Sequence, residues 1–377
     1  MKNLLLAASL LIPGMLFAQK KDMTPKTFDL VVGTYTSGSS KGISVYRFYA
    51  ETGKTAYLNK IDDVSNPSYL CVSADNKFVY AVNEGTQGEV SAFKFDAKSG
   101  ALTFINKVST LGADPCFISI DKAQKSLFVA NYSGGNICVL PINKDGSIAP
   151  AVQTIRDSGH APNKERQEKA HVHTTVLSPD EKYVMYTDLG TDKLNITRYK
   201  AGKASPLTPA NPAFVSVAPG AGPRHIDFSA DKKTMYLITE MGSSVIAYDY
   251  NDGKLKQKQS VSLLPDGFTG TTGAADIHVA PNGKFLYASN RGDANDISVF
   301  AISPESGMLT FIERKPSQGL GPRNFAIDPT GSFLLVANQR SDTIHTYRID
   351  KNTGKLTDAY YKIEIGNPVC LKFVPAQ

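Results

Sequence analysis

Six stretches of the chain share one alternation of apolar and polar positions. They are PSYLCVSADNKFVYAVNEG from Pro67, PCFISIDKAQKSLFVANYSG from Pro115, VHTTVLSPDEKYVMYTDLG from Val172, PRHIDFSADKKTMYLITEMG from Pro223, AADIHVAPNGKFLYASNRG from Ala274 and PRNFAIDPTGSFLLVANQR from Pro322. Each is two short β-branched and aromatic runs joined by a polar turn, which predicts a β-hairpin. A third alternating run follows each hairpin, as in EVSAFKFDAKSG or DISVFAISPESG, and ends near a Gly-containing turn. A fourth comes next, as in GALTFINKV and GMLTFIERK. Successive copies start 46 to 57 residues apart. Four short strands in a unit of that length make the blade of a β-propeller.

Seven copies of the third strand predict seven blades. The last blade begins with PVCLKFVP at Pro368, but its second strand is missing there. The segment Phe28–Thr36 has the right character to supply it. The fold predicted is therefore all-β, a seven-bladed propeller with four antiparallel strands per blade, its ring closed by N- and C-terminal strands in one blade. No linker-like stretch interrupts the repeats, so residues 28–377 read as one domain.

The start of the chain is different. MKNLLLAASLLIPGMLFA has one Lys, an apolar run and a small residue before Gln19, the pattern of a secretory signal peptide over residues 1–18. Residues 19–27 then read as a tether. The apolar run is short for a membrane span, so the mature protein is expected to be exported to the periplasm or beyond, with no span. The formal charge of +6 among 377 residues is mild. No Lys/Arg stripe interleaved with aromatics indicates nucleic acid, whereas an anionic small substrate suits the balance. The pattern carries no signal for an oligomeric state. Cys71, Cys116, Cys138 and Cys370 match no metal spacing and read as buried free thiols.

Hairpin arithmetic shows where polar residues converge. Paired positions in an antiparallel hairpin have a constant sum. Arg224 should then face Glu240, His173 face Asp188, Cys116 face Asn131, Ser68 face Asn83 or Glu84, and Arg323 face Asn338 or Gln339. First-strand starts and second-strand ends thus share one rim of the channel. That rim gathers Arg224, Arg291, Arg323, Glu84, Glu240, His173, Tyr132 and Asn131. One connection into it is enlarged and charged: RDSGHAPNKERQEKAHVH, from Arg156 to His173. Long charged residues present in only some copies are unlike the turn and apolar positions, which recur. Convergent polar groups of this kind predict a ligand site. His173 is the natural general base, since imidazole titrates near neutrality, with His171 as a candidate partner. Arg224 and Arg323 suit a carboxylate or phosphate. His225, Asp227 and His278 read as channel-wall groups, His160 as a loop residue and His345 as an outer-strand one.

No G-x-S-x-G elbow, H-E-x-x-H or calcium loop is present. The segments VVGTYT, HTTVLSPD, GPRH, SNRG and GPRN resemble the bacterial 6-phosphogluconolactonase family of seven-bladed propellers, related to the fungal carboxy-muconate lactonizing enzyme. The resemblance runs from about Phe28 to Pro375. It implies a lactone hydrolase working without metal or cofactor. His173, Arg224, Glu240 and Arg291 match positions implicated in catalysis in the lactonizing branch, while Arg323, Glu84, Tyr132, Asn131 and His171 are candidate substrate contacts. Either His173 or Glu240 would activate water. A muconate-type cycloisomerase or a non-enzymatic binding propeller would use the same rim. The leader peptide weighs against a purely cytosolic phosphorylated substrate.

Overall fold

The computed structural model describes residues 26–377. The expected leader, 1–18, and all but the end of the tether, 19–27, lie outside the described residues. Seven four-stranded antiparallel sheets stand in a ring. Blades are numbered here from the N-terminus. Blade one is the closing blade: Pro368–Pro375 is its inner strand and Thr27–Thr34 its second. Their antiparallel ladder runs from Phe28↔Pro375 to Thr34↔Pro368. The second strand was expected over Phe28–Thr36. It starts at Thr27 and stops at Thr34, where Asn66 takes over Thr36 by accepting from its N–H at 2.9 Å.

The repeated turns have a common physical cause. A side chain at the turn's start accepts the N–H that opens the second strand: Ser73 from Phe78 at 2.9 Å, Ser178 from Tyr183 at 3.0 Å, Ser229 from Thr234 at 2.9 Å and Asp121 from Ser126 at 2.9 Å. These side-chain acceptors stand in for a backbone partner, which is why Ser and Asp recur there. Neighbouring blades are latched by buried tyrosines. Tyr80 donates to the Gly146 carbonyl at 3.1 Å, Tyr236 to Gly307 at 2.8 Å and Tyr287 to Gly354 at 2.8 Å. A Cβ on Gly354 would sit 2.5 Å from the Phe285 ring, and its φ is +74°. Only glycine allows that approach.

The inner hairpins depart from the expected register. Val172, not His173, pairs with Asp188, and the ladder resumes at Thr174↔Thr187. Likewise Pro115 pairs with Asn131 and Pro322 with Asn338, leaving Cys116 and Arg323 unpaired. Pro223↔Thr239 followed by Ile226↔Leu237 puts Arg224 and His225 opposite one residue. Each is a β-bulge, with one extra residue on the inner strand. The bulged residues Cys116, His173, Arg224, Arg323 and Val369 all line the central cavity. The bulge is thus the device that aims one side chain at the axis in five of the seven blades. The four cysteines are buried free thiols, and no helix among the described residues is long and apolar enough to cross a membrane.

A chain ending at Asn367 loses the inner strand of blade one. It strips Val369, Cys370, Leu371 and Val374, all at most 3 % exposed, from the core. At about 1.5–3 kcal/mol per large buried apolar side chain, the loss rivals a whole domain's stability of about 5–15 kcal/mol. The truncated chain is expected to show no cooperative melting transition by circular dichroism.

Candidate active site

The bulges and the second-strand ends build one mouth. After each second strand, the next residue's N–H returns to a carbonyl just before its own blade's inner strand: Tyr35 to Asn367 at 3.0 Å, Glu84 to Asn66 at 3.1 Å, Tyr132 to Asp114 at 2.8 Å and Glu240 to Gly222 at 2.7 Å. In blade six the ladder runs two residues further and holds Arg291 opposite Gly273. These fixed backbones carry the charged side chains.

Glu240, 5 % exposed, is the hub. Its Oε2 accepts from Arg224 Nε at 2.9 Å and lies 3.2 Å from Arg291 Nη2. Its Oε1 accepts from Arg166 Nη2 at 2.7 Å. Burial alone would raise the Glu240 carboxyl's pKa, but Arg291, Arg224 and Arg166 together hold it far below the usual carboxylate range. Arg224 is 1 % exposed and also donates through Nη1 to the Ala275 carbonyl. Arg291 anchors its Nε on the Gly273 carbonyl at 2.9 Å.

Arg323 has different surroundings. Its guanidinium lies 5.5 Å from the Tyr35 ring centroid, and among the described residues it forms no ion pair or hydrogen bond. Its nearby carboxylate, Glu84, is engaged instead by the Tyr35 hydroxyl at 2.9 Å and by Ser68 Oγ. Four guanidiniums therefore face two carboxylates at the mouth, leaving a surplus of positive charge.

His173 is 4 % exposed, and its ring meets Tyr132 edge-on at 5.7 Å and His225 at 5.2 Å. Its Nδ1 is buried with no partner among the described residues. Burial, and then Arg224, His225, Arg323 and Arg291, depress its pKa well below the ordinary histidine value. The imidazole is therefore neutral.

Two expected contacts lie elsewhere. Asn131 was expected to touch substrate, but its Nδ2 donates to the Thr110 carbonyl at 3.2 Å, fully buried. Asn83 does the same with Ser65 at 2.8 Å and Asn338 with Ser317 at 2.9 Å. This recurring asparagine ties its second strand to the chain leaving the outer strand of the preceding blade. His171 stacks on Tyr132 at 4.5 Å, and its Nε2 lies 3.1 Å from Glu168. It backs the Tyr132 wall without reaching the cavity.

Arg166 and Tyr35 were not singled out in the sequence. Arg166 belongs to the enlarged Arg156–His173 connection. The neighbouring Gln167, fully buried, pins that segment by donating to the Leu189 carbonyl and Asp192 Oδ1, both at 2.8 Å. Arg166 thus reaches Glu240 from a fixed base and also donates to the Tyr132 hydroxyl at 3.3 Å. Tyr35 is the blade-one counterpart of Glu84, which the register would have revealed had it been carried through the closing blade.

The mouth is divided into two adjoining chambers that share Arg166, Glu240, Arg291 and Arg323 as a wall. One, about 360 Å³, is lined by His173, Tyr132, Glu84, Tyr35 and Cys116. The other, about 340 Å³, is lined by Thr271, Thr272, Gln339 and Arg340. Each is of small-molecule size. Below them the channel shrinks to about 10 Å³ around Tyr69, His225 and Asn324. There Tyr69 and Phe117 stack at 4.1 Å. Among the described residues no group of three or more His, Cys, Asp or Glu is arranged to hold a metal ion.

Glu240→Gln leaves three guanidiniums without their shared carboxylate. Breaking a buried pair this way is expected to cost about 3–5 kcal/mol at pH 7. Because the folded Glu240 pKa is depressed, its contribution is present above the unfolded value of about 4.3 and lost as pH falls. Urea titrations of both proteins should therefore converge in stability as pH drops below about 5.

The family model described as "Lactonase, 7-bladed beta-propeller" matches residues 29–373. A curated 6-phosphogluconolactonase of Bacillus subtilis is 38% identical over 348 residues, 91% of this chain and 97% of that protein. Another from Formosa agariphila is 36% identical, over 87% of this chain and 94% of its own. The solved periplasmic gluconolactonase of Pseudomonas aeruginosa superposes with a TM-score of 0.90 at 41% identity, covering 93% of this chain and all of that one (100%). The chain belongs to the seven-bladed β-propeller lactonase family.

Proposed function

We propose that this propeller hydrolyses a sugar lactone bearing an anionic group, with His173 as general base and Arg224 and Arg291 as the oxyanion site. The observation that carries the reading is the set of guanidiniums that converge on a neutral imidazole. Glu240 is the weaker base, since both its oxygens already accept from arginines. Among the described residues His173 makes no hydrogen bond through Nε2, the ring nitrogen that is not sealed from solvent as Nδ1 is. In the proposed step it takes a proton from water as the oxygen attacks the lactone carbonyl. The carbonyl oxygen becomes negative and is met by Arg224 and Arg291. The ring C–O bond then breaks, and the ring oxygen recovers the proton from the imidazolium, giving the hydroxy acid. The cations that make His173 a weak base are those that stabilise the oxyanion, where one donor is worth about 3–4 kcal/mol.

The unpaired Arg323, and Arg340 in the second chamber, favour a substituent with negative charge away from the reacting carbonyl. A phosphate or a carboxylate serves them equally. The names of the Bacillus and Formosa relatives support the phosphate and the Pseudomonas name supports an exported gluconolactonase. The leader pattern at residues 1–18 supports export of this chain as well, followed by a single domain from residue 28. Mass spectrometry of the secreted or periplasmic fraction is expected to find a mature N-terminus at Gln19. Recovery of the intact Met1 form in the cytoplasm alone would count against export.

Acid release by the purified mature protein is expected on glucono-1,5-lactone, faster on its 6-phosphate or on glucaro-1,4-lactone. Arg323→Ala should raise KM for the charged lactones by about tenfold, as for one lost charge-assisted contact of about 1.4 kcal/mol. His173→Ala should lower kcat by about 10²–10⁴-fold. Because the His173 pKa is depressed, the base form persists through neutrality, and kcat/KM should stay flat from pH 8 down past the ordinary histidine value of about 6.5 before falling. A wild-type rate no greater than buffer on every lactone defeats the reaction class, and an unimpaired His173→Ala defeats the assigned base.

A further inference from the structure

Beneath the mouth, the channel is filled by a hydrogen-bonded spine that no step above uses. Asp276, 1 % exposed, is its centre. Its Oδ1 accepts from His225 Nδ1 at 2.7 Å, and its Oδ2 from His278 Nε2 at 3.1 Å and from Asn324 Nδ2. These partners come from three successive inner strands, Pro223–Phe228, Thr272–Val279 and Pro322–Ile327. At the upper end, His225 Nε2 lies 3.4 Å from Arg224 Nη1.

The chemistry of these groups gives the spine a direction. Burial disfavours the Asp276 carboxylate, but His278 and His225 hold its pKa well below the usual range, so it is ionised and can only accept. His225 is pushed down to about 4 by burial and by Arg224, so it is neutral and carries one ring proton. That proton must sit on Nδ1, facing Asp276. Nε2 then presents a lone pair to Arg224, whose guanidinium can only donate. The opposite tautomer would set an N–H against the guanidinium.

We propose that Asp276 and His225 are positioning residues for Arg224, fixing the guanidinium that meets the oxyanion; the inference rests on the lactonase reading above. Arg224 has Nε committed to Glu240 and Nη1 to the Ala275 carbonyl. His225 Nε2 faces the same Nη1, so the second N–H of that nitrogen is also directed. Ala275 and Asp276 are adjacent in the blade-six bulge, so one irregularity supplies both the carbonyl and the carboxylate that orient Arg224. A shift of about 1 Å in such a group can cost about 100-fold in rate.

The test is a mutant cycle on the purified enzyme, read as kcat on the lactone the wild type turns over best. His225→Gln keeps an amide donor for Asp276 and an acceptor for Arg224, and is expected to stay within about threefold of wild type. His225→Phe keeps the ring packed against Phe117 and Tyr69 but cannot accept, and is expected to lose about 10- to 100-fold in kcat with little change in KM. In an Arg224→Ala background the same His225→Phe change should cost nothing further, because the residue acts through Arg224. Melting midpoints are measured alongside, and should His225→Phe fail to fold, Asp276→Asn goes through the same cycle. Equal rates for Phe and Gln, or a loss that is undiminished without Arg224, overturn the positioning role and leave the lactonase reading standing. A wild type inert on all lactones overturns both.

Discussion

Everything at the mouth depends on the ring being closed by a single antiparallel ladder between the two ends of the chain. The strand Thr27–Thr34 pairs with Pro368–Pro375 on one side and Gly42–Tyr49 on the other. An unclosed propeller would expose sheet edges and lose its axis. Closure also has a chemical result. It delivers Tyr35, the residue after the N-terminal strand, between Arg323 of blade seven and Glu84 of blade two. The tyrosine holds the Glu84 carboxylate by hydrogen bonding, so that Glu84 acts on Arg323 by its charge without a direct ion pair. Closing the ring and leaving one guanidinium, among the described residues, without a direct ion-pair partner are therefore the same structural event.

The proposed mechanism makes two opposed demands on the site. A general base should hold a proton easily, and an oxyanion site should hold negative charge. Gathering Arg224, Arg291 and Arg323 around His173 meets the second demand at the expense of the first. In that proposal Glu240 moderates the field and leaves the proton transfer to His173. It accepts from three guanidiniums at once, which keeps cations from blades five and six and from the Arg156–His173 connection within reach of one another. Without it they would repel. The carboxylate is therefore assigned to holding the arginines rather than moving protons.

Much of this was legible in the sequence because repeats repeat their physics. Ser73, Asp121, Ser178 and Ser229 mark the same turn, and the apolar runs behind them fill the cores of the ring. The hairpin sums brought His173, Arg224, Glu240, Arg291 and Arg323 to one rim, and the side chains do meet there. The sums were off by one because a bulge leaves the apolar alternation on either side intact, so nothing in the pattern announces it. Asn131, expected at the substrate but held in the wall, is the opposite case. Its recurrence with Asn83 and Asn338 was the mark of a structural tie to a neighbouring carbonyl. Arg166 was hidden in a connection whose path is set by one buried side chain, Gln167, and no periodicity governs such a loop.

The bulges separate what each blade must be from what it contributes. The ladder on either side of Cys116, His173, Arg224 or Arg323 is made by backbone atoms and by the flanking residues. The extra residue carries no pairing duty of its own. A repeat thus spells up to two letters of the mouth, one at the bulge and one just after the second strand. A letter with no side-chain partner, such as Val369, can be exchanged by one substitution, whereas Arg224, Arg291 and Arg166 share Glu240, so distant repeats are bound to change together.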